Sequence, residues 1–312
     1  MRNQTLHKPF FHLIFIFCIC FSFYPNTEGA NTQQEATRSI NIDNKFSGIN
    51  ATTAFDITYT QNSSNPKAII KGDKNLINDV AYEVDTYGTL KFYFKKDHKE
   101  IHSRISIILN GGALSYLESS NAGTLLITNV VTTPPTLNIK TSSAGTITFK
   151  NTVQGKGVIN MEVSSGGTVE CKELISASTI NVSASSAGNV DLTRINVKVL
   201  NFSSVSGAEV KIENNNSITT NLSVNSAGEI IIKNCISEII NSEASSAGEI
   251  NIKNCNAKTL NCQVSSTGTA TYAGQVNSAN LGAYSYASIY AKNLKIKQIT
   301  SLKESSGGKV YK

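Results

Sequence analysis

Apolar residues recur along this chain at a nearly fixed interval, each opening a short run of alternating apolar and polar positions. Taking the first apolar residue after a small turn as the anchor gives Leu125, Ile147, Val169, Val190, Val210, Ile230, Ile250, Ala270, Ile289 and Val310. The successive steps are 22, 22, 21, four of 20, then 19 and 21. Internal repetition at this period, with no helix-period segment inside it, predicts a solenoid in which each turn holds two or three short strands joined by tight corners, that is, a parallel β-helix. Two residues beyond the anchor stand Phe149, Cys171, Leu192, Ile212, Ile232, Ile252 and Tyr272, so strand alternation points both positions inward. A second inward row lies eight and six residues before the anchor, in pairs such as Met161 with Val163, Phe202 with Ser204 and Leu222 with Val224.

Between these rows the polar positions repeat as strictly as the apolar ones. Ser143, Ser165, Ser186, Ser206, Ser226, Ser246 and Ser266 stand four residues before the anchor, followed by Ala, Gly or Thr, as in Ser245-Ser246-Ala247-Gly248. Alternation carried through this point predicts a serine facing inward at a corner, a structural ladder passing hydrogen bonds from coil to coil. A nucleophilic role is not expected of it, because no histidine or lysine base repeats beside it. Nine residues before the anchor come Asn138, Asn160, Asn181, Asn201, Asn221, Asn241 and Asn261, an amide ladder of the kind that stacked in-register strands support. It faces outward, next to Ser183, Ser203 and Ser223, and forms a flat Asn/Ser surface. Asn181, Asn201, Asn221, Asn241 and those three serines are therefore the candidate binding residues, with a glycan or a surface protein as the expected partner. A further asparagine row, Asn151, Asn214, Asn234, Asn254 and Asn293, suits a corner.

The amino-terminal third departs from the period. Arg2 and Lys8 precede an apolar run from Phe10 to Phe23, then Pro25 and the small pair Gly29-Ala30, which predicts an export signal over residues 1–30, too short to span a membrane. Residues 31–45 are polar and read as a flexible lead-in. Residues 46–312 read as one domain, with irregular first coils or a capping sheet over 46–115 and regular coils over 116–312. Solenoid cores need such caps.

The segment before the coils carries a specific resemblance. Phe46-Ser47-Gly48-Ile49-Asn50, Phe55-Asp56-Ile57, Gln61, Ile70-Lys71-Gly72-Asp73-Lys74-Asn75-Leu76 and Gly88-Thr89-Leu90 resemble the head GIN domain family, a bacterial group described as "putative autotransporter adhesins". The resemblance spans nearly the whole chain after residue 45, with Asn62 where glycine is usual and Lys74 where an acid is commoner. It implies a right-handed β-helix in the periplasm, at the outer membrane or cell surface, or secreted. It assigns no site.

Composition narrows the chemistry. The 312 residues carry a formal charge of +6, about +5 without the leader, and lack tryptophan. Scattered lysines without clustered arginines or aromatics argue against a nucleic-acid partner. No segment after residue 30 is apolar enough to cross a membrane. Cys171, Cys235, Cys255 and Cys262 fall at repeat positions and read as buried thiols, since neither a CxxC spacing nor a nearby histidine suggests a metal. His98 and His102, beside Asp97, read as a charged loop. No cofactor or metal is expected. Glu170 and Asp191, near Lys172 and Arg194, are the nearest approach to the paired carboxylates that a β-helical lyase or hydrolase needs. Taken together, the residues predict a non-catalytic binding scaffold. The alternatives are a structural protein that self-associates through its end coil or, less favoured, a polysaccharide-cleaving enzyme.

Overall fold

The computed structural model describes residues 35–43, 45–62, 65–96 and 103–312. The export signal expected over 1–30 and the Asp97, His98, His102 segment lie outside the described residues. Residues 34–312 form one compact unit. It is a parallel β-solenoid of about ten turns.

The coil from Glu209 to Gly228 shows how the sequence makes one turn. Its three faces are residues 209–213, 214–217 and 219–224, and residues 225–228 form the tight corner. Inside sit Val210 and Ile212 from the first face, Asn215 and Ser217 from the second, and Thr220, Leu222 and Val224 from the third. Each residue lies over its counterpart 20 positions on, as in Val210↔Ile230 and Asn221↔Asn241, so the alternation read from the sequence becomes continuous columns. Columns of Val, Ile and Leu on the first and third faces build a single core along the axis.

At the corner the serine row departs from its expected place. Ser226 and Ala227 both adopt left-handed backbone, at φ 50° and 59°. The Gly228 N–H closes the turn on the Asn225 carbonyl at 3.0 Å, in the manner of a type I′ turn. Two such residues in succession shift the alternation, so Ser143, Ser186, Ser226, Ser246 and their counterparts Ser165, Ser206 and Ser266 are exposed, not inward. The position that turns inward is the glycine two residues later. A Cβ on Gly228 would lie 2.5 Å from the Ser204 carbonyl oxygen of the previous coil. The serine row is still a ladder, but through its main chain: the Ala227 N–H donates to the Ser246 carbonyl and the Ala247 N–H to that of Ser266. In the coil with Ser206-Gly207-Ala208 the glycine takes the left-handed position, at φ 71°, and Ala208 the buried one.

The lead-in expected to be flexible over 31–45 contains a strand. Glu35–Asn41 pairs antiparallel with Lys67–Asp73, which pairs antiparallel with Ile105–Gly111. Ala36 and Ile40 pack on the core, and the Arg38 guanidinium donates to the Ile77 and Val80 carbonyls at 3.0 and 2.9 Å. One half-buried face of just Ala36, Arg38 and Ile40 carries too weak an alternation to show in the sequence. A hairpin of Val80–Val84 with Thr89–Phe94 completes the cap. Gly48–Ala51 and Phe55–Gln61 form the first coil beneath Tyr116–Ser119 and Thr124–Ile127, offset by 68 residues. The intervening chain is the cap itself.

Inside the regular coils, Cys171, Cys235, Cys255 and Cys262 are buried free thiols. Burial pushes Cys171 and Cys262 up to about 11 and Cys255 up to about 12, so none offers a ready thiolate. Tyr272 is wholly buried beside Cys262, its hydroxyl 2.6 Å from that of Ser242, the small residue that stands where other coils have Leu222 or Phe202.

Candidate functional site

The third face carries the amide ladder, and the ladder is hydrogen-bonded throughout. The Nδ2 of Asn160 donates to Asn138 Oδ1 at 2.8 Å, and Asn181, Asn201, Asn221, Asn241 and Asn261 repeat the bond, each onto the coil before, at 2.7–2.8 Å. Asn280 extends it at 2.6 Å, one coil further than the sequence pattern suggested, and accepts from the Thr300 hydroxyl. In-register pairing forces this arrangement, because each asparagine lies over the last and one amide supplies both donor and acceptor. Every link leaves a second N–H and a second carbonyl lone pair on each half-exposed amide, repeated at about 4.8 Å along the axis.

Next to the ladder runs a column of changing size. Its members in order are Lys140, Glu162, Ser183, Ser203, Ser223, Glu243 and Gln263. Three serines in succession between long side chains leave a depression closed at its two ends by Glu162 and Glu243. The result is an open trough of about 760 Å³. Asn181, Asn201, Asn221, Asn241, Ser183, Ser203 and Ser223, the candidate binding residues, all line it. Chemically the trough offers uncharged donors and acceptors along its length with one carboxylate at each end.

The first face has charge without a comparable recess. Glu170 and Asp191 are register neighbours, but Lys172 binds Glu170 at 3.0 Å and Arg194 binds Glu173 at 2.5 Å, and neither carboxylate lines the trough. Glu209, Glu229 and Glu249 stack in register. Partial burial, and then the neighbouring carboxylates of Glu249 and Glu209, raise the Glu229 carboxyl above its ordinary value, with Lys211 and Lys253 offsetting part of the effect. At the corner between the first and second faces, Asn234 and Asn254 donate to Asn214 and Asn234 at 2.9 and 3.2 Å, a shorter ladder at the place expected of it.

Among the described residues no helix is long and apolar enough to cross a membrane, and no three metal-ligating side chains gather. The second face holds a recess that the sequence did not announce. Asn215, Ser217 and Ser237 point inward there, so the apolar columns that mark the other faces are interrupted.

Comparison with known proteins places the architecture. The chain is similar to a putative lipid binding protein from Parabacteroides distasonis, at 21% identity and a TM-score of 0.55 over 87% of this chain and 97% of that one. It is also similar to a putative adhesin from the same organism, at 16% identity and 0.45 over 89% and 96%, and to one from Parabacteroides merdae, at 17% and 0.45 over 89% and 95%. No curated protein matches. The family model described as "putative auto-transporter adhesin, head GIN domain" matches three times, over residues 45–160, 148–256 and 220–311. The chain belongs to the head GIN domain family of putative auto-transporter adhesins.

Proposed function

We propose that this protein is an exported, non-catalytic binding scaffold of the cell surface or envelope, and that the third-face trough is its contact site for a neutral glycan. The observation that carries the reading is the convergence of the seven Asn and Ser residues on one recess whose exposed groups between Glu162 and Glu243 are uncharged donors and acceptors at a constant interval. A polymer of hydroxylated rings presents such groups at a comparable interval. Adhesin-like family membership supports surface binding, and the apolar run from Phe10 to Phe23 supports export.

The test fills the trough without cutting the ladder. Ser203→Tyr with Ser223→Tyr is expected to abolish retention on an array of neutral glycans while the circular dichroism spectrum is unchanged, and binding by the parent protein is expected to be insensitive to salt. An identical array profile for the variant would remove the trough from consideration. Fractionating the native cells tests export: a purely cytoplasmic protein would overturn that part.

Self-association through the end coil has less support. The last long strand, Ser288–Ser305, carries Lys292, Lys295, Lys297 and Lys303 against the single acid Glu304, so two such edges would meet with like charge.

A further inference from the structure

The second face carries a groove of different chemistry, and we infer that it is a binding site for a linear polysaccharide bearing carboxylates. The groove has a volume of about 880 Å³. It runs along the solenoid axis between two outward columns. One is Asn196, Asn216, Ile236, Asn256, Gln275 and Lys295, a run of roughly 24 Å at strand spacing. The other includes Lys198, Ile218, Glu238, Lys258 and Lys297.

Three features select the ligand. The first is charge: four lysines line the groove against one acid, Glu238, which Lys258 already binds at 2.6 Å. Lys198 at one end and Lys295 with Lys297 at the other therefore leave the groove net positive. The second is the pair Ile218 and Ile236, which are 49% and 55% exposed and lie diagonally across the groove on adjacent coils, a small apolar step suited to the C–H face of a sugar ring. The third is the row of amides, which supplies donors and acceptors for ring hydroxyls.

Other anionic partners use these features less well. An acyl chain would lie against Asn196, Asn216 and Asn256 and strip water from their amides, which bond along the row only at 3.4–3.5 Å. A nucleic acid would find neither an arginine nor an aromatic ring to stack on. An acidic peptide lying along the groove would cross strands that already pair on both sides, and so would gain no main-chain bonds.

This inference is independent of the third-face reading, and its test keeps the two apart. The probes are polygalacturonate and its fully methyl-esterified form, which has the same backbone without the charge. The expected result is retention of polygalacturonate and not of the ester, weakened several-fold when ionic strength rises from about 0.05 to 0.5 M. Lys198→Gln, Lys295→Gln and Lys297→Gln together should weaken binding about tenfold. Ile236→Asp should weaken it too, and Ser203→Tyr with Ser223→Tyr should leave it unchanged. These substitutions are at exposed positions, apart from the half-buried Ser203, and circular dichroism checks the fold. The inference is overturned if polygalacturonate is not retained, if the ester binds equally, or if the triple lysine variant binds as the parent does. It is equally overturned if the trough-filling variant abolishes binding, or if phosphatidylglycerol vesicles or single-stranded DNA are held more tightly than the polymer.

Discussion

The second and third faces are built from the same repeat and solve burial in opposite ways. On the third face of the middle coils, Leu200, Phe202 and Leu222 point inward and asparagine and serine point outward. On the second face the polarity is reversed: Asn215, Ser217 and Ser237 lie inside while Ile236, and Ile218 at the adjoining corner, are exposed. Asn215 is only 2% exposed, and its Nδ2 donates to Ser217 at 3.2 Å and to Thr220 at 2.9 Å. The Ser217 hydroxyl reaches those of Thr220 at 2.7 Å and Ser237 at 3.2 Å. Polar residues are tolerated inside because they satisfy one another across two coils. The exception is Asn215 Oδ1, which has no partner. Buried polarity at one face thus coexists with a regular amide ladder on another.

The largest expected effect comes from making the second face resemble the third. Replacing the cluster with the residues of its register neighbours, Asn215→Ile, Ser217→Val, Thr220→Leu and Ser237→Ala, should stabilise the fold by about 2–4 kcal/mol, because the amide and hydroxyl partners all go together and leave only the weakly bonding Cys235 thiol. Urea unfolding at unchanged m-value measures it. A lower midpoint would mean that the network contributes more than apolar packing can.

This inverted face is also what the sequence hid. The period of 20, the inward rows of the first and third faces and the amide ladder were all legible, because those columns repeat one residue type at one spacing. All seven candidate residues then met in one trough. The serine row was placed on the wrong side because alternation cannot be carried through two left-handed residues such as Ser226 and Ala227. The second face is only four residues wide between its corners, too short to display a period, and nothing in the residue types of Asn215, Ser217 and Ser237 marks them as inward. The strand Glu35–Asn41 escaped for a related reason, since its pattern of exposed and half-buried residues has no fully buried member.

A smaller effect tests the third face. Asn221→Leu severs the bonds to Asn201 and from Asn241 and should cost about 1–2 kcal/mol. No loss would reduce the ladder to a geometric coincidence of stacking. On the second face the matching change is Ile236→Asn, which places an amide between Asn216 and Asn256. It should alter stability by no more than about 0.5 kcal/mol, and a larger loss would show that this isoleucine belongs to the core.

The smallest effect concerns the first face and sharpens the role of like charges stacked in register. The raised carboxyl of Glu229 means that its ionised form is less favourable in the folded chain than in the unfolded one. Its penalty is therefore present above the folded pKa and is relieved as pH falls through that value toward the ordinary carboxylate range near ~4.3. Glu229→Gln should raise stability by roughly 0.2–1 kcal/mol at pH 7, and the advantage should fade at pH 4. An advantage that persists at pH 4 would point to packing rather than charge.

The first coil has a consequence for the order of assembly. Every regular coil meets the next across about 20 residues, whereas Gly48 meets Tyr116 across 68. Closing the longer loop costs about 1 kcal/mol more in chain entropy, and it must also wait for the antiparallel strands of the cap to find one another. Folding is then expected to begin among the coils beyond residue 168 and to travel toward the amino end, with the cap docking last. Pulsed hydrogen exchange would read this as early protection of Val210, Ile230 and Ile250 and late protection of Ile49 and Ile57. A chain emerging amino end first would hold its cap segment undocked until the coils that support it had arrived.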